Sequence, residues 1–267
     1  MKPETNTTDR QLIQQFLDTL RDLPEVHAEL NQRESVGFSN NRRIDALIDL
    51  RIADKSFTLL IEAKNTVYPR DVRQVLWQLK EYSHYVSKGT GNDDVIPLLV
   101  AESISPGAKE KLRDERIGYF DGGGSLYLPA PGAFFYIDKL PPKILAKSTL
   151  SLFSGRRAQV LQTLLLHHQS WFGGKDLAEQ ALVSPATASE MLTELERFDW
   201  LESRGQGPSK ERLLSEPTAL LDAWVKQLPS IRPSTLRRYY IPSIRVDTLP
   251  EHVGRVFDKY EVAYAHT

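Results

Sequence analysis

The chain has no cysteine among its 267 residues. That excludes disulfide scaffolds, thiolate metal sites and cysteine nucleophiles together, and it suits a reducing cytoplasm. A surplus of charge is also missing. The 34 basic side chains meet 35 acidic ones, for a formal net charge of -1 and a pI near 6.6. A nucleic-acid binder often shows a basic excess, so any contact with DNA must come from local patches. Long apolar runs are absent too: VIPLLVA and QTLLLHH fall far short of the roughly 20 residues that span a bilayer, and no membrane partner is expected. The first ten residues, MKPETNTTDR, carry no apolar stretch of the kind a signal peptide needs. There is no internal repeat and no low-complexity tract. What remains is ordinary for a folded protein, 40% hydrophobic and 26% charged, which argues against global disorder.

The length suits two modest domains and an appendage. Residues 8–23 read as an amphipathic helix with Leu12, Ile13, Phe16, Leu17 and Leu20 on one face. Val26, Ala28 and Leu30 alternate as in a strand. IDALIDLRI, the turn ADKS and FTLLIEAK make a hairpin. A helix follows from about Pro69 to Val86, then a buried strand IPLLVA. Ser105-Pro106 opens a helix that runs to about Glu115. IGYFD and SLYLPA are strands split by Gly122–Gly124. The expectation is an α/β domain over residues 1–140 with a mixed central sheet, a linker over 141–153, and an α+β domain over 154–217. Residues 218–267 form a C-terminal extension, read as the start of a further domain.

The hairpin carries the first chemistry. Side chains alternate along a strand, so Glu62 and Lys64 share a face, as do Asp45 and Asp49. A turn at Asp54-Lys55 would set Asp45 opposite Lys64, with Glu62 diagonal to Asp45 and Asp49. Two or three carboxylates and one ammonium then converge, while Leu59, Ile61 and Ala63 enter a core. Hard carboxylate oxygens can hold a Mg²⁺ that screens a phosphodiester and lowers the pKa of its water. A lysine beside them can stabilise charge developing on the phosphate oxygens. Glu-x-Lys alone is common and usually marks a solvated strand face. Asp49 has its own structural reading, as a partner of Arg51 or Arg42.

Asp45, Glu62-Ala63-Lys64 and Gln78-Leu79-Lys80-Glu81-Tyr82 together resemble the PD-(D/E)XK nuclease superfamily. The resemblance implies a restriction-endonuclease-like α/β fold. It also implies Mg²⁺ (or Mn²⁺) bound by Asp45, Glu62 and the carbonyl of Ala63, with Lys64 acting on the attacking water. Gln78 and Tyr82, one helical turn apart, would buttress the site or touch DNA. Ile44 stands where that family often has proline.

The second half reads as a helix-turn-helix with a wing. Lys175–Ala181 is a short helix, Leu182-Val183 a turn, and Ser184-Pro185 caps and opens a longer helix. Ala186, Thr187, Ser189 and Glu190 lie on its front, where a recognition helix meets base edges. Arg204, Lys210 and Arg212 surround the hairpin tip formed by Gly205, Gly207 and Pro208. Over about 60 residues this resembles the winged-helix domains of bacterial regulators. Arg156, Lys175, Ser184, Thr187, Ser189, Arg204, Lys210 and Arg212, with Tyr82, are the candidate DNA contacts. The acids Glu190, Glu194 and Glu196 on the same helix would repel phosphate, and Arg156, Arg157, Lys175 and the wing cations must offset them. A winged helix that binds protein in place of DNA is the competing reading. None of the six histidines falls into a zinc motif.

The order of α/β unit, winged helix and the tail VGRVFDKYEVAYAHT is also similar to antitoxin and transcriptional-regulator proteins of abortive-infection, type IV toxin–antitoxin systems. In those proteins a segment like Lys259–Thr267 continues into a further domain, so the stop at Thr267 suggests a shortened form. Two functions stay open. One is a Mg²⁺-dependent deoxyribonuclease guided by its winged helix, ahead by a small margin because both acids and the lysine are present. The other is a catalytically inert regulator or antitoxin. A pure interaction module is third. Double-stranded DNA is the expected partner, with a toxin or other protein and a second copy of the chain as further candidates.

Overall fold

Residues 7–31, 44–90, 95–140, 151–230 and 245–260 are described by the computed structural model. Apolar side chains three and four apart make α1 (Thr7–Arg21). Phe16 and Leu20 are fully buried while Gln11, Gln14 and Gln15 face water. Seven strands follow: β1 (Val26–Leu30), β2 (Ala46–Ile52), β3 (Lys55–Val67), β4 (Val95–Ile104), β5 (Gly118–Asp121), β6 (Leu126–Ala130) and β7 (Ala133–Ile137). They form one sheet in sequence order. The pairs β3/β4 and β4/β5 are parallel and the others antiparallel.

The parallel pairs decide where the helices go. α2 (Pro69–Thr90) joins β3 to β4, and α3 (Pro106–Asp114) joins β4 to β5. Both crossovers advance the same way across the sheet, and right-handed connections then place both helices on one face. They meet Leu60, Leu99 and Tyr119 there, through Leu79, Tyr82 and Leu112. The other face would be bare without α1, whose Phe16 and Leu20 cover Ile48, Leu59, Leu98 and Phe120. Ser105 caps α3 as its sequence suggests, accepting from the Ala108 amide, with Pro106 in the first turn. The glycine run after β5 is a turn over a buried ion pair. Lys109 Nζ lies 2.6 Å from Asp121 Oδ2 and donates to Ser125 Oγ at 2.7 Å. Strand β7 was not anticipated. Its five residues AFFYI are all apolar and show no alternation, yet Gly132, at φ +80°, turns the chain back so that Ala133 pairs with Ala130.

The second layer of structure starts at residue 151; the proposed linker residues 141–150 lie outside those described. α4 (Arg156–Leu166), β8 (Phe172–Gly173), α5 (Gly174–Gln180), α6 (Pro185–Arg197), β9 (Leu201–Arg204) and β10 (Glu211–Leu214) follow in order. β8, β10 and β9 make a three-stranded sheet. This is a winged-helix arrangement, with α5 and α6 as the helix-turn-helix and β9–β10 as the wing. The two-residue β8 is too short to leave a sequence signal. α7 (Pro217–Gln227) packs on the same core, where the Trp224 ring lies tilted at 6.0 Å from Phe153 and Leu220 is fully buried. Residues 1–230 form one compact unit and 231–267 a second. The described part of the second unit holds α8 (Leu249–Lys259), an amphipathic helix. Among the described residues no helix is long and apolar enough to cross a membrane.

Candidate metal centre and nucleic-acid interface

The turn of the β2–β3 hairpin is Ala53-Asp54, with Ile52 paired to Lys55. The expected turn at Asp54-Lys55 is therefore corrected by one position, because Ala53 takes the left-handed backbone at φ +52°. Moving a turn by one residue moves the register by two, which leaves every side chain on its expected face. Ala46 pairs with Ile61, so the next step of the register sets Asp45 opposite Glu62 and not opposite Lys64. Asp45 ends the ladder itself: its Oδ2 accepts from the Ala63 amide at 2.8 Å. Lys64 Nζ donates to Glu62 Oε1 at 2.5 Å. Asp49 leaves the group. It sits opposite Thr58, and its carboxylate accepts from Asn31 Nδ2 at 3.1 and 3.0 Å; no ion pair to Arg51 is present, and Arg42 lies outside the described residues.

Burial sets the electrostatics of this group. Glu62 is 4% exposed, and Lys64 is half-buried with its ammonium reaching the carboxylate. Asp45 has its carboxyl pushed up to about 6, mainly by burial. The Ala63 amide and Lys64 pull it down, and the charge of Glu62 pushes it further up. Two carboxylates facing one another with a single ammonium hold more negative charge than they balance. A hard divalent cation would relieve that excess, and Mg²⁺ is commonly held by only one or two carboxylates with water filling its sphere. The donor set therefore fits the Mg²⁺ or Mn²⁺ that the sequence resemblance implies, at the lower limit of ligand number. Among the described residues no three His, Asp or Glu side chains gather around a common metal position.

Behind the site, Gln78 and Tyr82 lie one turn apart on α2. The Gln78 Oε1 is buried with no hydrogen-bond partner among the described residues, a group placed to receive a donor. Tyr82 is 3% exposed and packs with Leu79 and Leu60. Such a side chain offers DNA no surface, so of its two expected roles the contact with DNA is corrected and buttressing of the site is left.

On the winged helix, Ser184 caps α6, accepting from the Thr187 amide at 3.1 Å and sharing a 2.9 Å hydrogen bond with the Thr187 hydroxyl. Both side chains are engaged in the cap. Ala186, Ser189 and Glu190 are exposed, as are Arg156 and Lys175, which have no ion-pair partner among the described residues. The three acids that threatened to repel phosphate are each neutralised. Glu190 meets Arg157 at 3.2 Å, and Glu194 meets Arg197 at 2.7 Å. Glu196 turns inward, where Lys210 and Arg212 reach it at 2.7 and 2.9 Å and Ser203 donates at 2.9 Å. Burial raises the Glu196 carboxyl, but these donors outweigh it and hold the group below its ordinary value. Lys210 and Arg212, expected both to contact DNA and to offset these acids, bind a buried carboxylate of their own domain. Arg204 pairs with Glu211 at 2.6 Å and stacks 4.2 Å over Trp171.

The C-terminal end of α6 also docks on the α/β sheet layer, which sequence reasoning missed entirely. Phe198 packs edge-on against Tyr68 at 5.2 Å and stacks on Trp200 at 4.6 Å. Arg70 approaches Glu196 at 3.5 Å, and Asp199 meets Lys111 at 2.6 Å and Arg73 at 3.6 Å. Asp199 is held below its ordinary value, chiefly by the hydrogen bond from Lys111. No sequence period could have revealed these partners, since they lie on α2, on α3 and just before α2, far from α6 in the chain.

No family model matches the chain, and no curated protein does either. Among solved structures it is similar to a possible transcriptional regulator from Methanosarcina mazei, at 12% identity and TM-score 0.26 over 49% of this chain and 99% of that one. It is also similar to MepR, a transcription regulator of a Staphylococcus aureus multidrug efflux pump, at 13% identity and TM-score 0.27 over 45% and 93%. A third is the homodimeric winged helix-turn-helix DNA-binding domain of Mb0332 from Mycobacterium bovis, at 21% identity and TM-score 0.24 over 39% and 100%. At these values what those proteins bind stays with them.

Proposed function

We propose that this chain is a regulator-type DNA-binding protein that reads duplex DNA with the N-terminal half of α6. The observation that carries this is the exposed, side-chain-capped front of α6, with its three acids each held by a basic partner, and with Arg156 and Lys175 on neighbouring helices free of ion pairs among the described residues. A recognition helix makes its base contacts through such an N-terminal front. Ser189 and Ala186 are the residues free to meet base edges, because Thr187 is tied to the cap. Fluorescence anisotropy of the full chain against a pool of random duplexes tests this. Selection of a consensus that changes on Ser189→Asn supports base reading, and no binding to any duplex at low salt refutes it.

A second reading has its own support, the meeting of Asp45, Glu62 and Lys64 on one face of a hairpin. The succession α1-β1-β2-β3-α2-β4 around that hairpin supports a restriction-endonuclease-like domain. Asp45 and Glu62, with the Ala63 carbonyl, would hold a Mg²⁺ or Mn²⁺. That ion would supply charge neutralisation at a phosphodiester and a lowered pKa for nearby water. Lys64 would keep an ammonium beside the oxygens on which charge develops. Metal-dependent cleavage of linear, supercoiled and single-stranded DNA by wild type, lost on the order of a hundredfold in Lys64→Ala, supports the reading. No cleavage on any substrate leaves the regulator alone. A toxin partner rests on sequence resemblance only.

A further inference from the structure

Glu196 and Asp199 leave a surplus of positive charge where the winged helix docks on α2 and α3. Glu196 is already bonded by Lys210 and Arg212 within 2.9 Å, and Asp199 by Lys111 at 2.6 Å. Arg70 and Arg73 are the further cations on these two carboxylates, at the looser distances of 3.5 and 3.6 Å. Five cationic groups thus meet two acids. The adjacent Asp71 lowers the surplus, but it is engaged at the start of α2, where it accepts from the Tyr68 amide at 2.9 Å. Arg70 and Arg73 are also the most exposed members, with side chains 59% and 81% accessible. They lie three residues apart, on one face of the N-terminal end of a 22-residue helix.

We propose that this seam is a docking surface for the sugar–phosphate backbone of duplex DNA, contacted by Arg70 and Arg73. The inference rests on the DNA-binding reading above and extends it to the α/β layer. Three features favour a polyanion. The surplus charge is positive, the two arginines are only loosely held by their internal partners, and Arg offers a fork of donors that matches phosphate. The wing and α2 share the buried Glu196, so both cationic elements are fixed relative to each other without the DNA having to order them. Lys64 lies six residues before Arg70 and so within about 20 Å of it.

The test uses the full chain and two unrelated duplexes, with anisotropy measured from 50 to 200 mM salt. Each phosphate contact contributes about 0.9 to the slope of log affinity against log salt. Arg70→Ala with Arg73→Ala should weaken binding equally on both duplexes at 50 mM. It should also flatten the slope by nearly two, so that the fourfold rise in salt costs the variant about tenfold less than wild type. Arg70→Lys with Arg73→Lys should recover the slope, and the thermal midpoint of each variant checks the fold. An unchanged slope in the alanine pair, with wild type binding duplex normally, overturns the seam and leaves the winged-helix reading intact. Failure of wild type to bind either duplex at 50 mM overturns both.

Discussion

Asp45→Asn should make this protein more stable in alkali and leave it no better in acid. The folded chain holds the Asp45 carboxyl at about 6 against 3.8 for a free aspartate, with burial the main cause. Between those values the folded state keeps a proton that the unfolded chain has released. The stability contribution is therefore fully present below about pH 4 and is lost as pH rises through 6. The difference of roughly two pKa units is worth about 3 kcal/mol at 1.36 kcal/mol per unit. Asp45 is half-buried, and water near it trims the figure to about 1–3 kcal/mol. Asparagine keeps an oxygen to accept from the Ala63 amide, so the 2.8 Å hydrogen bond survives while the charge is gone. Urea unfolding followed by the fluorescence of the four tryptophans at pH 4 and pH 8 measures the effect. At pH 8, Mg²⁺ or Mn²⁺ at ten times its dissociation constant should stabilise wild type by about 1.4 kcal/mol and the variant far less. A variant less stable than wild type at pH 8, or a gain equal at both pH values, would refute the assignment of buried charge to Asp45.

Glu196→Gln should cost about 3 kcal/mol near neutral pH, because it leaves Lys210 and Arg212 without their buried counter-charge. Since the Glu196 carboxyl is held below its ordinary 4.5, its contribution is present above that pH and fades as pH falls, so the gap between wild type and variant should narrow in acid denaturation curves. Gly205→Ala at the wing tip should destabilise by about 1–3 kcal/mol in thermal unfolding. The residue sits at φ +74°, and an added Cβ would meet the Ser209 carbonyl oxygen at 2.6 Å.

The helices and most strands were legible in the sequence, and for local reasons. The 3.6-residue period of Leu12, Phe16 and Leu20, the Ser-Pro starts of α3 and α6, and the apolar runs of β3 and β4 depend only on neighbours along the chain. The faces of Asp45, Glu62 and Lys64 were legible too, because alternation on a strand survives a two-residue shift of register. The register itself was not, since it hung on the backbone that Ala53 adopts within the turn. Nor were β7 and β8, one without alternation and the other too short to show it. The fates of the charged residues were the least legible. Lys210 and Arg212 belong to a wing by sequence, yet they serve Glu196 because α6 presents that carboxylate inward against them. Arg70, Arg73 and Lys111 belong to no motif of the sequence, and only the docking of α6 sets Glu196 and Asp199 among them. Periodicity fixes which way a side chain points from its own element. What it meets there depends on elements distant in sequence, and only their packing in three dimensions decides it.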